Sequence, residues 1–234
     1  SALGATTTGG YNAAVGNDAL GATTTGNGNV AIGYHTLKTA TDGSYQIAIG
    51  YEAMKSTTTG TGNTMIGFRS GHNHTTGIRN TSLGYSALYS ITEGARNTAI
   101  GYNACSSITD GGHDNTAVGY GALTWDNNGD GNTAVGASAL LDNTTGSNNT
   151  AVGRNAMVVN TTGIENVAAG TYALDACTTG NYNSAVGHHA LTACQTSDKN
   201  SAFGYYALSA LTTGSSNTAL GNNAGYTVTT GDDN

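Results

Sequence analysis

Residues 143–170 read NTTGSNNTAVGRNAMVVNTTGIENVAAG, nearly the same phrase twice. In each copy an Asn opens a run of small and β-branched residues that closes on Gly, and two Thr precede another Gly. Aligned on that phrase, the closing Gly recurs at Gly16, Gly33, Gly50, Gly67, Gly84, Gly101, Gly119, Gly136, Gly153, Gly170, Gly187, Gly204 and Gly221. Every step is 17 residues except one of 18, whose extra residue falls in the turn-rich SSITDGGHD, residues 106–114. A fixed period of this length is the mark of a solenoid, in which each repeat is one rung that cannot bury its own apolar face. Residues 12–233 hold thirteen repeats with consensus N-T-A-V-G-Y-x-A-L-x-x-x-T-T-G-x-x, the Asn taken as position 1. The chain starts and stops inside a phrase, so residues 1–234 are expected to form one elongated repeat domain belonging to a longer array.

Seventeen residues are too few for a strand-helix-strand crossover but enough for two short strands and two turns. The T-A-V-G-Y and A-L segments are the candidate strands, and stacking the repeats would give parallel, in-register ladders. At about 4.8 Å per rung, thirteen coils span roughly 60 Å. The fold class expected is therefore all-β, a parallel β-solenoid or β-roll. A helix is excluded by the abundance of Gly and Thr and by the lack of any 3.6-residue stripe. Two columns stand out as candidate core. Position 4 carries Val15, Ile32, Ile49, Ile66, Leu83 and Ile100 and continues to Leu220; position 9 carries Leu20, Leu37, Met54, Leu88 and onward to Leu208. Position 3, almost always Ala, and position 5, always Gly, mark a face where another backbone comes close. The Asn column, broken only by Gln46, has a mechanical reading: stacked amides bond to one another and to turn backbone. The Gly of T-T-G is expected to supply a positive φ at the corner.

Composition narrows the function classes. The chain has 36 Gly, no Pro, 9% charged residues and a formal net charge of −7. Low charge and few aromatics would fit disorder, but the strict period argues for an ordered ladder, and absence of Pro suits a backbone that needs its N–H groups. No apolar run approaches the ~18 residues of a membrane span. The seven Lys and Arg are scattered singly in an acidic chain, which argues against nucleic acid. Two large apolar side chains per coil are little compensation for ordering 17 residues, and a Tyr stripe at position 6 (Tyr34, Tyr51, Tyr85, Tyr102, Tyr120, Tyr205, with Phe68) wants cover. A second and third copy of the chain are the expected source, giving a homotrimer.

The phrases NTAVGYGAL (115–123), NTAIGYNAC (97–105) and NNTAVGRNAM (148–157) resemble the shaft repeats of bacteriophage tail fibres. More distantly they resemble the left-handed β-roll heads of trimeric autotransporter, YadA-like adhesins, whose N-S-V-A-I-G phrase recurs at a shorter period. The resemblance covers essentially the whole chain. It implies a left-handed roll in a homotrimeric fibre, an extracellular or virion-surface location, and attachment to a host-surface glycan or protein receptor. The first expectation for function is a structural or adhesive segment of a phage tail fibre; the alternative is the head of a bacterial trimeric surface adhesin.

A few local motifs invite a sharper chemical reading. His72 and His74, in HNH, match a His-x-His that shafts of this kind place on a three-fold axis to hold iron; three chains would bring six imidazoles, an octahedral set. The opposing reading is two solvated turn histidines. DNNGDG (126–131) matches the opening of a calcium loop, but the closing Glu is missing, Ala137 standing in its place, and no helices flank it. No cofactor is expected. Catalysis is not expected either: no carboxylate pair recurs on a strand face and no nucleophile motif is present. A Thr column at position 13 raises ice binding as a third class, weakened because its neighbour at position 14 should face the other way. Cys177 and Cys194 share position 12 of successive repeats and should stack, as thiols rather than a disulfide, while Cys105 should replace Leu in the core. Recognition is expected at the variable positions 10, 11, 16 and 17, and Trp125 beside Asp126 and Asn127 offers the stacking and polar chemistry that suits a sugar ring.

Overall fold

The computed structural model describes residues 2–5, 7–108, 111–126 and 128–234, and the chain forms two compact units, Ser1–Asp114 and Asn115–Asn234. The division follows the one repeat that is 18 residues long. The fold is an all-β parallel solenoid, with one three-residue strand per repeat. The first unit holds β1 (Ala13–Val15), β2 (Val30–Ile32), β3 (Ile47–Ile49), β4 (Thr64–Ile66), β5 (Thr81–Leu83) and β6 (Thr98–Ile100). The second holds β7 (Thr116–Val118), β8 (Thr133–Val135), β9 (Thr150–Val152), β10 (Val167–Ala169), β11 (Ser184–Val186), β12 (Ser201–Phe203) and β13 (Thr218–Leu220). Within each unit every strand pairs in parallel with the next in the chain, and like positions face like: Ala14 opposes Ala31 and Val15 opposes Ile32. The ladder continues outside the strands, where the Leu20 N–H donates to the Thr36 carbonyl at 3.1 Å and the Thr24 N–H to the Thr41 carbonyl at 3.0 Å.

The A-L segment is not the second strand expected from the sequence. Positions 7 and 9 both adopt left-handed backbone, as in His35 (φ 54°) and Leu37 (φ 47°), and so does position 17, as in Tyr45 (φ 57°). Alternating left-handed residues curl the chain tightly and turn the side chains of positions 8 and 9, such as Ala53 and Met54, inward together. Each non-Gly residue held there costs about 1–2 kcal/mol, a strain the surrounding ladder must impose. Position 5 is Gly for a stronger reason: φ lies between 125° and 145°, and a Cβ on Gly33 would sit 2.3 Å from the Gly50 carbonyl oxygen. The Gly of T-T-G meets the expected positive φ only near the C-terminal end, at Gly214 (φ 132°) and Gly231 (φ 130°). At Gly26 φ is not positive; instead a Cβ would meet the Gly43 carbonyl oxygen at 2.3 Å, so the close approach of the next coil, not the dihedral, excludes a side chain.

The core is also partly reassigned. Position 9 is buried throughout, from Leu20 to Leu208, with Cys105 in place of Leu as expected. Position 4 is not core: Ile32, Leu83, Ile100, Val152 and Phe203 are exposed, Leu83 to 50%. In a three-residue strand the centre and the flanks face opposite ways. The interior is narrow, so it takes the small Ala of position 3 across from Leu, and the bulky β-branched residues go outside. One coil that breaks this rule supports it: Met65 stands at position 3 where position 9 is Gly71, and a Cβ at Gly71 would fall 1.8 Å from the Met65 Sδ. The size has moved from one wall to the other.

The Asn column works as a fastener, as the sequence implied. Asn29 donates its Nδ2 to the Gly43 carbonyl at 2.8 Å across its own coil, and its Oδ1 accepts the backbone N–H of Gln46 at 3.0 Å in the next. The same pair of bonds recurs at Asn80, Asn149, Asn166, Asn183 and Asn200. Gln46 is one methylene longer, and its Nε2 is buried without a partner.

Candidate functional site

The in-register stacking turns each outward position into a column, and two columns of the first unit make its most distinctive surface. At position 6, Tyr34, Tyr51, Phe68, Tyr85 and Tyr102 stack ring on ring, with centroids 4.8–5.2 Å apart and planes within 14° of parallel. The rung spacing of a parallel ladder imposes this geometry, and each pair is worth about 0.5–1.5 kcal/mol beyond its buried area. Beside them lie the outward aliphatics of position 4. Together they form an apolar, aromatic stripe that no other described residue of that unit covers.

On the far side of the rings sits a charge cluster centred on Glu52, a carboxylate only 7% exposed. It accepts from Lys55 Nζ at 2.8 Å and from Arg69 Nε at 3.1 Å, and His72 Nε2 lies 3.3 Å away. The Lys55 hydrogen bond is the main reason its carboxyl titrates below the usual range, against the opposing effect of burial. Next to it, His35 approaches Asp18 at 3.5 Å and Lys38 approaches it at 3.9 Å. Three of the chain's seven Lys and Arg are thus gathered around two carboxylates, a positive spot on an acidic protein.

Comparison with protein-family models, with curated proteins and with solved structures returns no match. The site is therefore built from this chain's own residues.

The expected sugar-binding trio is not assembled on one surface. Trp125, at position 11, is 56% exposed, but Asp126 at position 12 points into the coil and is fully buried; Asn127 lies outside the described residues. The corner of the coil runs between positions 11 and 12, so neighbours in sequence face opposite ways. His72 and His74 are separated by the same corner. His72 faces outward, on Glu52 and stacked against Tyr89 at 5.1 Å, whereas His74 is buried with Nδ1 3.0 Å from Thr57 Oγ1. Burial pushes the His74 imidazole down to about 4, with the Gly77 backbone opposing it. Among the described residues no three His, Cys, Asp or Glu side chains come together as a metal site within the chain.

Position 12 is an inward column that reading the sequence recognised only at Cys177 and Cys194. It is an interior file of unlike residues: Thr23, Ala40, Thr57, His74, Ile91 and Ile108 in the first unit, Asp126, Asn143, Asn160, Cys177, Cys194 and Leu211 in the second, all buried. Its only common signal is the absence of Lys, Arg and Glu. Asp126 accepts the Gly129 N–H on Oδ1 at 2.7 Å, but its Oδ2 has no partner, and burial raises its carboxyl to about 7. Cys177 and Cys194 follow one another as buried thiols, and the neighbouring Cys194 sulfur together with burial pushes the Cys177 thiol up. The Thr column at position 13 turns its hydroxyls back on the ladder: Thr144 Oγ1 donates to the Thr161 carbonyl at 2.8 Å and Thr161 Oγ1 to the Thr178 carbonyl at 2.9 Å. Hydroxyls spent on backbone are poor material for an ice-ordering plane.

The second unit carries its own aromatic group. His189 stacks between Tyr172 and Tyr206, at 5.0 and 4.8 Å, while His188 lies edge-on to it at 4.2 Å and stacks on Tyr205. The two histidines sit at positions 6 and 7, on the turn after β11, and both rings reach the same outer surface.

Proposed function

We propose that this chain is a structural and adhesive segment of a homotrimeric extracellular fibre, with its outward stripe of positions 4 and 6 turned toward the other copies. The observation that carries this reading is the stripe itself: Ile32, Leu83, Ile100, Val152 and Phe203 lie outside, with the ring ladder from Tyr34 to Tyr102 beside them in the first unit. Large contiguous apolar surfaces are rare on monomers and mark interaction faces. A second copy suits it better than an unlike partner, because a repeating column of one residue type is self-complementary under rotation about the coil axis direction. An interior committed to ladder and packing gives no support to catalysis. The phage-fibre reading and the alternative of a bacterial adhesin head share this assembly and differ in the host that displays it. Negative-stain electron microscopy of the purified chain tests the assembly: uniform slender particles with three-fold end views are expected, and small single-chain particles would overturn it.

A further inference from the structure

We infer that the first unit carries a binding groove for a carboxylate-bearing sugar, between Arg69 and the Tyr89 ring. The groove is shallow and open, with a volume of about 290 Å³, and is bordered by Arg69, Tyr85, Tyr89 and the serines Ser86, Ser90 and Ser106. That volume is at the small end of ligand pockets and has room for about one sugar ring.

Three features select the ligand. The first is an open aromatic face. Position 10 reads Lys38, Lys55, His72, Tyr89 and then Ser106. Tyr89 stacks on His72 with one face, and the next coil places only a serine opposite the other, so the ring ladder stops and leaves a platform one rung deep. The C–H face of a pyranose packs on such a ring. The second is a set of uncommitted hydroxyls. Those of Ser86, Ser90 and Ser106 make no hydrogen bond to another described residue, and each can both donate to and accept from a sugar hydroxyl. The third is an oriented cation. Arg69 spends Nε on Glu52 at 3.1 Å and lays its guanidinium 5.3 Å from the Phe68 ring centre, so the fork is held while its Nη edge stays available. A guanidinium edge pairs with a carboxylate by two parallel N–H bonds, and Glu52 is already shared with Lys55, leaving the spot net positive. A neutral sugar would use the platform and serines alone.

The inference rests on one unit of one chain and shares a single border residue, Tyr85, with the stripe assigned to the other copies, so the platform, the serines and Arg69 stand apart from that face. It is tested by saturation-transfer NMR and calorimetry on the whole protein with glucuronate, with glucose as the uncharged control. Glucuronate is expected to bind at least about tenfold more tightly than glucose. Arg69→Gln should reduce glucuronate to the level of glucose, and Tyr89→Ala should abolish both, with circular dichroism unchanged because both side chains are on the surface. Ser106→Phe, which fills the open rung, is a second block that leaves Arg69 and Tyr89 in place. Absence of glucuronate binding, equal affinity for the two sugars, or binding that survives all three substitutions would overturn the assignment.

Discussion

Replacing Asp126 with Asn should stabilise the second unit, and increasingly so as the pH rises. The Asp126 carboxyl is buried with Oδ2 unpartnered and holds its proton to about pH 7 in the folded chain, against about 3.9 when unfolded. A raised folded value means that folding takes up a proton anywhere between those two values. The group's contribution is therefore fully present below about pH 4 and is lost as the pH climbs through 7. At pH 5 the cost is about one pKa unit and above pH 7 about three, so the deficit grows by ~2.7 kcal/mol between pH 5 and pH 8. The introduced amide would keep an oxygen to accept the Gly129 N–H, and Asn143 and Asn160 already occupy the same position in the next two coils. His74, held at about 4 by burial, acts in a lower window: its stabilising effect is lost as the pH falls from about 6.5 toward 4. The difference between the two proteins, not the wild-type curve, is thus the informative quantity. Repeat arrays need not unfold in one step, so the assay is amide exchange around Gly129, compared between proteins at each pH. Protection in the variant should exceed wild type by a factor that widens roughly a hundredfold from pH 5 to pH 8. A constant ratio, or a wild type that gains on the variant in alkali, would refute a buried, proton-holding Asp126.

Three further outcomes follow from packing. Gly71→Leu alone should overpack the Met65 coil by about 1–3 kcal/mol and Met65→Ala alone should leave a cavity worth about 2–5, while the double variant restores the usual Ala-and-Leu coil and should unfold close to wild type in urea; additive losses would contradict the inward assignment of position 3. Gln46→Asn gives the buried amide a reachable carbonyl and should raise the thermal midpoint of the first unit, by about 1–3 kcal/mol in stability terms; a lower midpoint would count against the fastener reading. Cys105, Cys177 and Cys194 should resist a thiol reagent in the folded chain and all three react after denaturation without reductant, whereas a single reactive thiol would mean that Cys177 and Cys194 had joined.

Much of this architecture is legible in the amino acids because a parallel ladder repeats its constraints. Gly33 and its equivalents cannot carry a Cβ, Asn29 and its equivalents close each coil, and Leu37 and its equivalents fill it, so those columns scarcely vary. The period, the fold class and half of the core could be read from them. Side orientation could not. A three-residue strand offers two parities, and hydrophobicity favours the wrong one, because Ile32 outside is more apolar than Ala31 inside. The left-handed corners were hidden for a related reason: the ladder forces Leu37, Tyr45 and Arg69 into positive φ without the Gly that usually announces it. A separate bend, between positions 11 and 12 and without any left-handed residue, decides which way His72 and His74, or Trp125 and Asp126, face. The groove at Tyr89 leaves its trace only in the comparison of coils, where a file of long side chains at position 10 drops to Ser106.

The proposal that the outward stripe joins like chains stands or falls on the mass of the protein in solution. Sedimentation equilibrium at low micromolar concentration should give about 70 kDa, three times the 23.3 kDa chain, with Leu83→Glu and Ile100→Glu together lowering it toward the single-chain value. A folded wild-type protein sedimenting at 23.3 kDa would contradict it.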